Sequence, residues 1–348
     1  MKAHVIHIIN TDGMSKHVSM SHGSGGTMTG KLIRDIFVKR FGMPEPLTDS
    51  AILNESGFML AFTTDSYVVD PIIFPGGNIG KLAVCGTVND LAVSGATPKY
   101  VSASFIIEEG FPVEDLIMIA DSMSDEARKA EVNIVAGDTK VVEKGKCDKI
   151  FITTTGIGIM RSELEHISTA KKVKPGDMLI INGPIGNHSI AVLGARKKLG
   201  FNSPVESDCA SLNHLIRKVM DECSEIHFMR DLTRGGLATV VNELAQIISS
   251  GIVINESSVP VEEPVKGLCE IFGFDPLYLA NEGKVLFVAG DEEYKKVLEL
   301  MRSTPLGKYS EVIGEVVENN RNVVVLNTSI GGQRLLDMPS GMQLPRIC

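Results

Sequence analysis

The stretch Phe74-Pro75-Gly76-Gly77-Asn78-Ile79-Gly80-Lys81-Leu82-Ala83 decides the fold class. Pro75, Gly76 and Gly77 together are a turn signal. Ile79, Leu82, Ala83 and Gly86 then recur at helical spacing, which predicts a helix after the turn. Outward from this helix, residues 58–64 alternate like a half-buried strand, and 100–107 read as another. Val113, Leu116, Ile119, Ala120, Met123 and Ala127 outline a second helix, followed by strands at 132–136 and 150–159. An earlier helix is predicted over 26–40, with Leu32, Ile33, Ile36 and Phe37 on one face and Gly42 as its C-cap. The first half thus reads β-α-β-α-β-β.

A charged stretch, 161–175, closes this half, and Lys174-Pro175-Gly176-Asp177 is a second turn signal. A strand at 178–181, a helix from about His188, and helical faces at 212–220 and 237–248 follow, with strands at 284–289 and 322–326. The alternation places the chain in the α/β (α+β) class. We expect domains at 1–165 and 166–336. The last twelve residues, 337–348, carry two prolines and a glycine and read as an extended, mobile tail.

Composition narrows the functions open to the chain. Hydrophobic residues make up 43% of 348 and charged residues 22%, enough to build two cores without covalent staples. A net charge of −9 argues against nucleic acid or an anionic membrane as partner, since both need a basic face. No run approaches the roughly 18 apolar residues of a membrane span. The N-terminus lacks the long apolar core of a signal peptide, so a cytoplasmic protein is expected. None of the six cysteines is spaced C-x-x-C, which argues against a zinc ribbon or redox dithiol. Cys85, Cys147, Cys209, Cys223 and Cys269 read as structural thiols.

Four aspartates sit at strand or helix ends beside small residues: Asp65, Asp90, Asp138 and Asp231. Carboxylates so placed suit magnesium, which takes one or two of them plus phosphate oxygens. Aspartate is also the ordinary residue of caps and turns, and spacing alone does not show convergence. His22-Gly23-Ser24-Gly25-Gly26-Thr27 and Arg234-Gly235-Gly236 each open a helix, where free N–H groups attract phosphate. Lys140 sits next to Asp138 and Glu282 lies in Ala280-Asn281-Glu282-Gly283-Lys284 at a strand start, though such residues are more often surface charges than catalysts. Cys348 is the last residue, at the tip of the tail. A prenylation cysteine lies fourth from the end, so this is a different feature. A thiol there could travel into and out of a site, or be an incidental terminus.

The ending Leu344-Pro345-Arg346-Ile347-Cys348 resembles the C-terminal signature of the HypE hydrogenase maturation family. The resemblance extends through His22–Gly26, Thr64-Asp65-Ser66, the stretch from Phe74 to Ala83, Gly86–Ala92, Gly137-Asp138-Thr139-Lys140, Arg230–Gly236 and Ala280–Lys284. It implies a two-domain PurM-like fold, akin to aminoimidazole ribonucleotide and selenophosphate synthetases. The N-terminal domain would pair into a dimeric β-barrel, beside a C-terminal α+β domain. It implies ATP and Mg2+ as cofactors. Gly25, Gly26, Asp65, Asp90, Asp138, Thr139 and Lys140 would bind nucleotide, and Asp65, Asp90 and Asp231 would hold the metal.

The implied reaction is ATP-dependent dehydration of a carbamoyl group on Cys348 to an S-cyanate. The carbamoyltransferase HypF would load the thiol, and the HypC–HypD complex would receive cyanide for the iron of a [NiFe]-hydrogenase. Lys140 would stabilise the phosphorylated oxygen and Glu282 would take the nitrogen's proton. Gly186-Asn187-His188-Ser189 departs from the family's Gly-Asp-His-Gly, and residues before Met20 match none of its pattern. The rival readings are a synthetase of the same superfamily acting on a diffusible molecule, and a non-catalytic carrier.

Overall fold

The computed structural model describes residues 17–43, 45–196, 204–339, 341, 344 and 346–348. The expected helix after Pro75-Gly76-Gly77 runs Ile79–Val93 and is the axis of the first half. Its Asn78 cap accepts from Gly80 N–H at 2.9 Å and Lys81 N–H at 3.0 Å, satisfying donors that the first turn leaves free. Nearly every residue of this helix is buried, as expected of a helix apolar on all sides. Gly80 lets it approach the helix Val113–Lys129: a Cβ there would stand 2.5 Å from the Ile119 carbonyl oxygen.

Both helices lie on one face of a five-stranded sheet. Its order is Ala51–Glu55, Phe58–Tyr67, Ile150–Met160, Ala96–Glu108, Asn133–Val142. All neighbours are antiparallel except the last pair, which the helix Val113–Lys129 joins as a parallel crossover. The strand Ala51–Glu55 is absent from the pattern reading. It lies almost wholly exposed, so it carries no buried alternation to detect. It pairs only with residues 58–62, leaving the edge beyond Phe62 open.

The opposite face of this sheet presents exposed apolar side chains. Phe62, Ile157 and Tyr100 stand side by side across three strands there, at 40%, 36% and 47% exposure.

The second half is a seven-stranded sheet ordered Gln333–Leu335, Val324–Asn327, Gly251–Asn255, Glu311–Val317, Met178–Ile181, Val285–Ala289, Ile226–Asp231. Its central strands are buried on both faces and read as continuous apolar runs. Helices Gly236–Ile248 and Asn213–Glu222 cover opposite faces, each packing into its own apolar cluster. The helix Ile79–Val93 also touches Asn213–Glu222 and Ile226–Asp231, so the two halves meet beside the end of the latter strand.

Candidate active site

Each sheet delivers a carboxylate to the seam where they meet. Asp65 lies near the end of Phe58–Tyr67, along the edge that the short strand Ala51–Glu55 leaves unpaired. Asp90 comes from the last turn of Ile79–Val93. Asp231 ends the buried strand Ile226–Asp231, and Glu282 lies in the loop leading to Val285–Ala289. Together with Asp49, Tyr67, Arg234 and Cys348 they line an inner cavity of about 210 Å³.

Local contacts fix these groups. Thr63 donates its hydroxyl to Asp90 at 2.8 Å, and the Tyr67 hydroxyl reaches Asp65 at 3.4 Å. Gly86 makes the second contact possible, because the Tyr67 hydroxyl occupies the space where a side chain would begin. Arg230 bridges Asp49 at 3.2 Å and Glu243 at 2.7 Å, holding the strand end that carries Asp231. Asp208 accepts from the N–H groups of Glu282 and Gly283, both at 3.2 Å, and pairs with Lys284 at 3.0 Å.

Burial dominates the electrostatics. It raises Asp65, and pushes Asp90, Asp231 and Glu282 well above the usual carboxyl range; neighbouring carboxylates add to each rise. Arg234 opposes the rise at Asp65, Asp231 and Glu282, and is the only basic side chain among the cavity's described lining. The Oε1 atom of Glu282 is buried without a hydrogen-bond partner, an acceptor still to be satisfied.

The donor set fits magnesium in kind: hard carboxylate oxygens whose mutual repulsion a divalent cation would relieve. Among the described residues no group of three or more His, Cys, Asp or Glu side chains is gathered into a ready metal centre. The remaining oxygens would therefore come from phosphates and water.

The tail ends inside this site. Val68 N–H donates to the main-chain oxygen of Cys348 at 3.2 Å and Asp70 N–H to the Arg346 carbonyl oxygen at 3.1 Å, extending the open strand edge. Arg346 donates through Nε to Val68 O at 2.9 Å and pairs with Asp148. Ile347 is buried in the first core. Burial, with Glu282 next, pushes the half-buried Cys348 thiol up to about 12. A second cavity of about 440 Å³ lies outside it, between residues 18–24, Arg234, Tyr278 and the tail.

The structure brings Asp65, Asp90, Asp231, Glu282 and Cys348 together. It places Asp138, Thr139 and Lys140 elsewhere, inside the exposed edge strand Asn133–Val142 rather than after a strand. Lys140 pairs with Asp138 at 2.7 Å. Strand register puts Asp138 level with Ser104, Thr153 and Ser66, on the face opposite Asp65. Three strand spacings, roughly 14 Å, separate the two strands. Gly25 and Gly26 do not line either cavity. Gly25 N–H is held by Thr29 Oγ1 at 3.0 Å, and Gly26 caps a helical segment against Pro339.

Pattern reading missed Arg234, Tyr67 and His188 as site residues. Arg234 was within reach, being the cation beside Asp231 in a glycine-opened helix start. The roles of Tyr67 and His188 depend on contacts distant in sequence.

The two halves place the chain in the AIR synthase related class. The AIR synthase related N-terminal domain matches residues 47–160 and its C-terminal domain 174–327. A thiamine monophosphate kinase from Aquifex aeolicus shares the fold at 17% identity, covering 87% of this chain and 97% of that one, with a TM-score of 0.59. Within the class, the chain belongs to the HypE family of carbamoyl dehydratases. It is 48% identical over 338 residues to carbamoyl dehydratase HypE of Rhodobacter capsulatus, covering 96% of this chain and 98% of that one. To carbamoyl dehydratase HypE of Escherichia coli K12 it is 44% identical, covering 95% and 99%.

Two solved structures agree. A HypE–HypF complex matches at 48% identity with a TM-score of 0.83, covering 88% of this chain and 99% of that one. HypE in complex with ATP matches at 45% with 0.80, covering 94% and 98%.

Proposed function

We propose that this enzyme uses ATP to dehydrate an S-carbamoyl group on its own Cys348 to an S-cyanate, the cyanide donor for the iron of a [NiFe]-hydrogenase. The observation that carries the reading is the docked tail, which places the Cys348 thiol in one cavity with Glu282, Asp65, Asp90 and Asp231. A regulatory or incidental terminus has no need of that address.

The chemistry follows from the leaving group. An amide oxygen departs poorly and phosphate departs well, so phosphoryl transfer from ATP to the carbamoyl oxygen makes dehydration feasible. Loss of the nitrogen's two protons and of phosphate leaves Cys348–S–C≡N, with ADP and phosphate released. Glu282, with an unpaired buried oxygen and a raised pKa, is suited to take a proton from that nitrogen. Asp65, Asp90 and Asp231 would hold magnesium, which supplies charge neutralisation at the phosphates. Arg234 adds a fixed positive charge to the same cavity.

Lys140 cannot reach its own chain's cavity from the opposite face of the sheet. The Phe62–Ile157–Tyr100 row on that face is an apolar patch suited to a second copy. We therefore assign a homodimer, with Asp138, Thr139 and Lys140 serving the partner's nucleotide and the phosphorylated oxygen there.

A half-buried Cys348 thiol with a raised pKa is a poor nucleophile, which favours loading with the tail outside the cavity. That fits a carbamoyltransferase of the HypF kind as the loading partner, as the relative's HypE–HypF complex supports. A HypC–HypD complex would take the cyano group. No described helix is long and apolar enough to cross a membrane, and we assign a cytoplasmic setting without nucleic acid or membrane partners. The units 1–165, 166–336 and 337–348 belong to the same proposal.

Phosphate release tests the coupling. It should appear only with carbamoyl-loaded tail, one phosphate per carbamoyl consumed, and vanish in Cys348→Ser. ATP turnover unchanged by that substitution would contradict the reading.

A further inference from the structure

His188 connects the tail to the rest of the site. It stands in the first turn of the helix Asn187–Gly194, fully buried, with its ring edge-on to Phe74 at 5.4 Å and 90°. Its Nε2 lies 2.9 Å from the Ile347 carbonyl oxygen and its Nδ1 2.7 Å from Ser207 Oγ. A carbonyl can only accept, so Nε2 carries the proton and Nδ1 accepts from the Ser207 hydroxyl. Ser207 Oγ in turn accepts Cys209 N–H at 3.1 Å, and Ser207 N–H donates to Pro75 O at 2.8 Å. Every member of this chain has one role, so the ring's orientation and tautomer are fixed from behind.

The residue between Ser207 and Cys209 is Asp208, which holds the backbone of Glu282 and Gly283. One short loop therefore sets both the ring that meets the tail and the carboxylate that faces its thiol. We propose that His188 is a latch: a positioning residue whose Nε2–H grips the Ile347 carbonyl and holds Cys348 in the dehydration cavity, in register with Glu282. The inference deepens the proposed function and rests on it for the identity of the cargo. The grip itself stands on the tail contacts alone. His188 does not line the inner cavity with the thiol and the carboxylates; its contact is with the tail backbone at Ile347, so its action is through the tail.

The test is the labelling rate of Cys348 by iodoacetamide in the full chain, read by peptide mass beside the buried Cys223 and Cys269. Losing one buried hydrogen bond in His188→Leu should speed labelling of Cys348 about five- to tenfold. His188→Gln keeps a donor near the Nε2 position and should stay within about twofold of the parent. Cys223 and Cys269 should not change.

Labelling of Cys348 at the parent rate in His188→Leu, or equal acceleration in the Gln variant, would overturn the latch. If Leu loosens the fold, Cys223 and Cys269 accelerate in parallel, and Ser207→Ala then decides. That variant should free the ring and speed Cys348 alone by about threefold; no change overturns the proposal. Single-turnover dehydration of a loaded tail should slow in His188→Leu with the KM for ATP unchanged. A tail that labels as expected yet never dehydrates contradicts the proposed reaction and leaves the latch standing.

Discussion

Asp65 and Asp138 occupy neighbouring levels of one sheet but point from opposite faces, Asp65 into the cavity and Asp138 onto the open apolar side. A single chain therefore divides these motifs between two surfaces, and the proposed homodimer would reunite them.

Subunit mixing follows directly. Lys140→Ala and Asp90→Asn should each abolish dehydration in a pure dimer. Mixed after dissociation and reassociation, half the dimers are hybrid, and each hybrid holds one complete site. Activity should return to about a quarter of the parent. No recovery, with hybrids confirmed by mass, would mean that Lys140 acts elsewhere.

Glu282→Gln should lower the dehydration rate by about 100- to 10,000-fold, the usual worth of a positioned base, while carbamoyl loading is spared. The direction of the Glu282 shift sets the pH profile. The base form is the active one, and a raised pKa moves the acid limb upward. The rate should therefore still be rising with pH above the ordinary carboxyl range near 4.3. A plateau already complete at that pH would remove Glu282 as the base.

Chelation separates a catalytic metal from a structural one. EDTA should stop ATP-dependent dehydration and magnesium restore it, while the melting temperature of the nucleotide-free protein stays unchanged. The described residues hold no ready metal centre whose loss would cost stability. A fall in melting temperature on chelation would point to a metal built into the fold.

Away from the site, His227 is buried between Asp177 at 2.6 Å and Glu225 at 3.1 Å. The Asp177 hydrogen bond is the main cause of its raised pKa. A raised folded pKa adds stability that is complete below the unfolded value near 6.5 and is lost as pH rises through the folded one. His227→Gln should cost about 1–3 kcal/mol, most below that value and less above it. A cost independent of pH in urea unfolding would show that His227 stays neutral.

Much of this was legible in the sequence. The helix Ile79–Val93 announced itself through apolar spacing and the turn before it. Asp65, Asp90 and Asp231, with Asp138, stood out because carboxylates sat beside small residues at element ends, whereas Glu282 was given a role only by the family resemblance. What stayed hidden depends on contacts across the chain. The exposed strand Ala51–Glu55 has no buried face to leave a pattern. Asp138 read as following a strand, because the edge strand Asn133–Val142 is exposed nearly throughout and its end is not marked by burial. The prolines and glycine of the tail gave no sign of where it docks, with Ile347 buried and Arg346 tied to Val68 and Asp148. His188 looked like part of a motif with a missing carboxylate. Its own ring, through Ile347, is what the fold uses.

The central claim is that Cys348 carries the substrate, and the mass of the C-terminal peptide tests it most directly. The protein would be incubated with a HypF-type carbamoyltransferase and its substrates, then with Mg-ATP. The account predicts the gain of one carbamoyl group on Cys348, followed by loss of one water only when ATP is present. A peptide whose mass never changes under loading conditions, or that loses water without ATP, would contradict it.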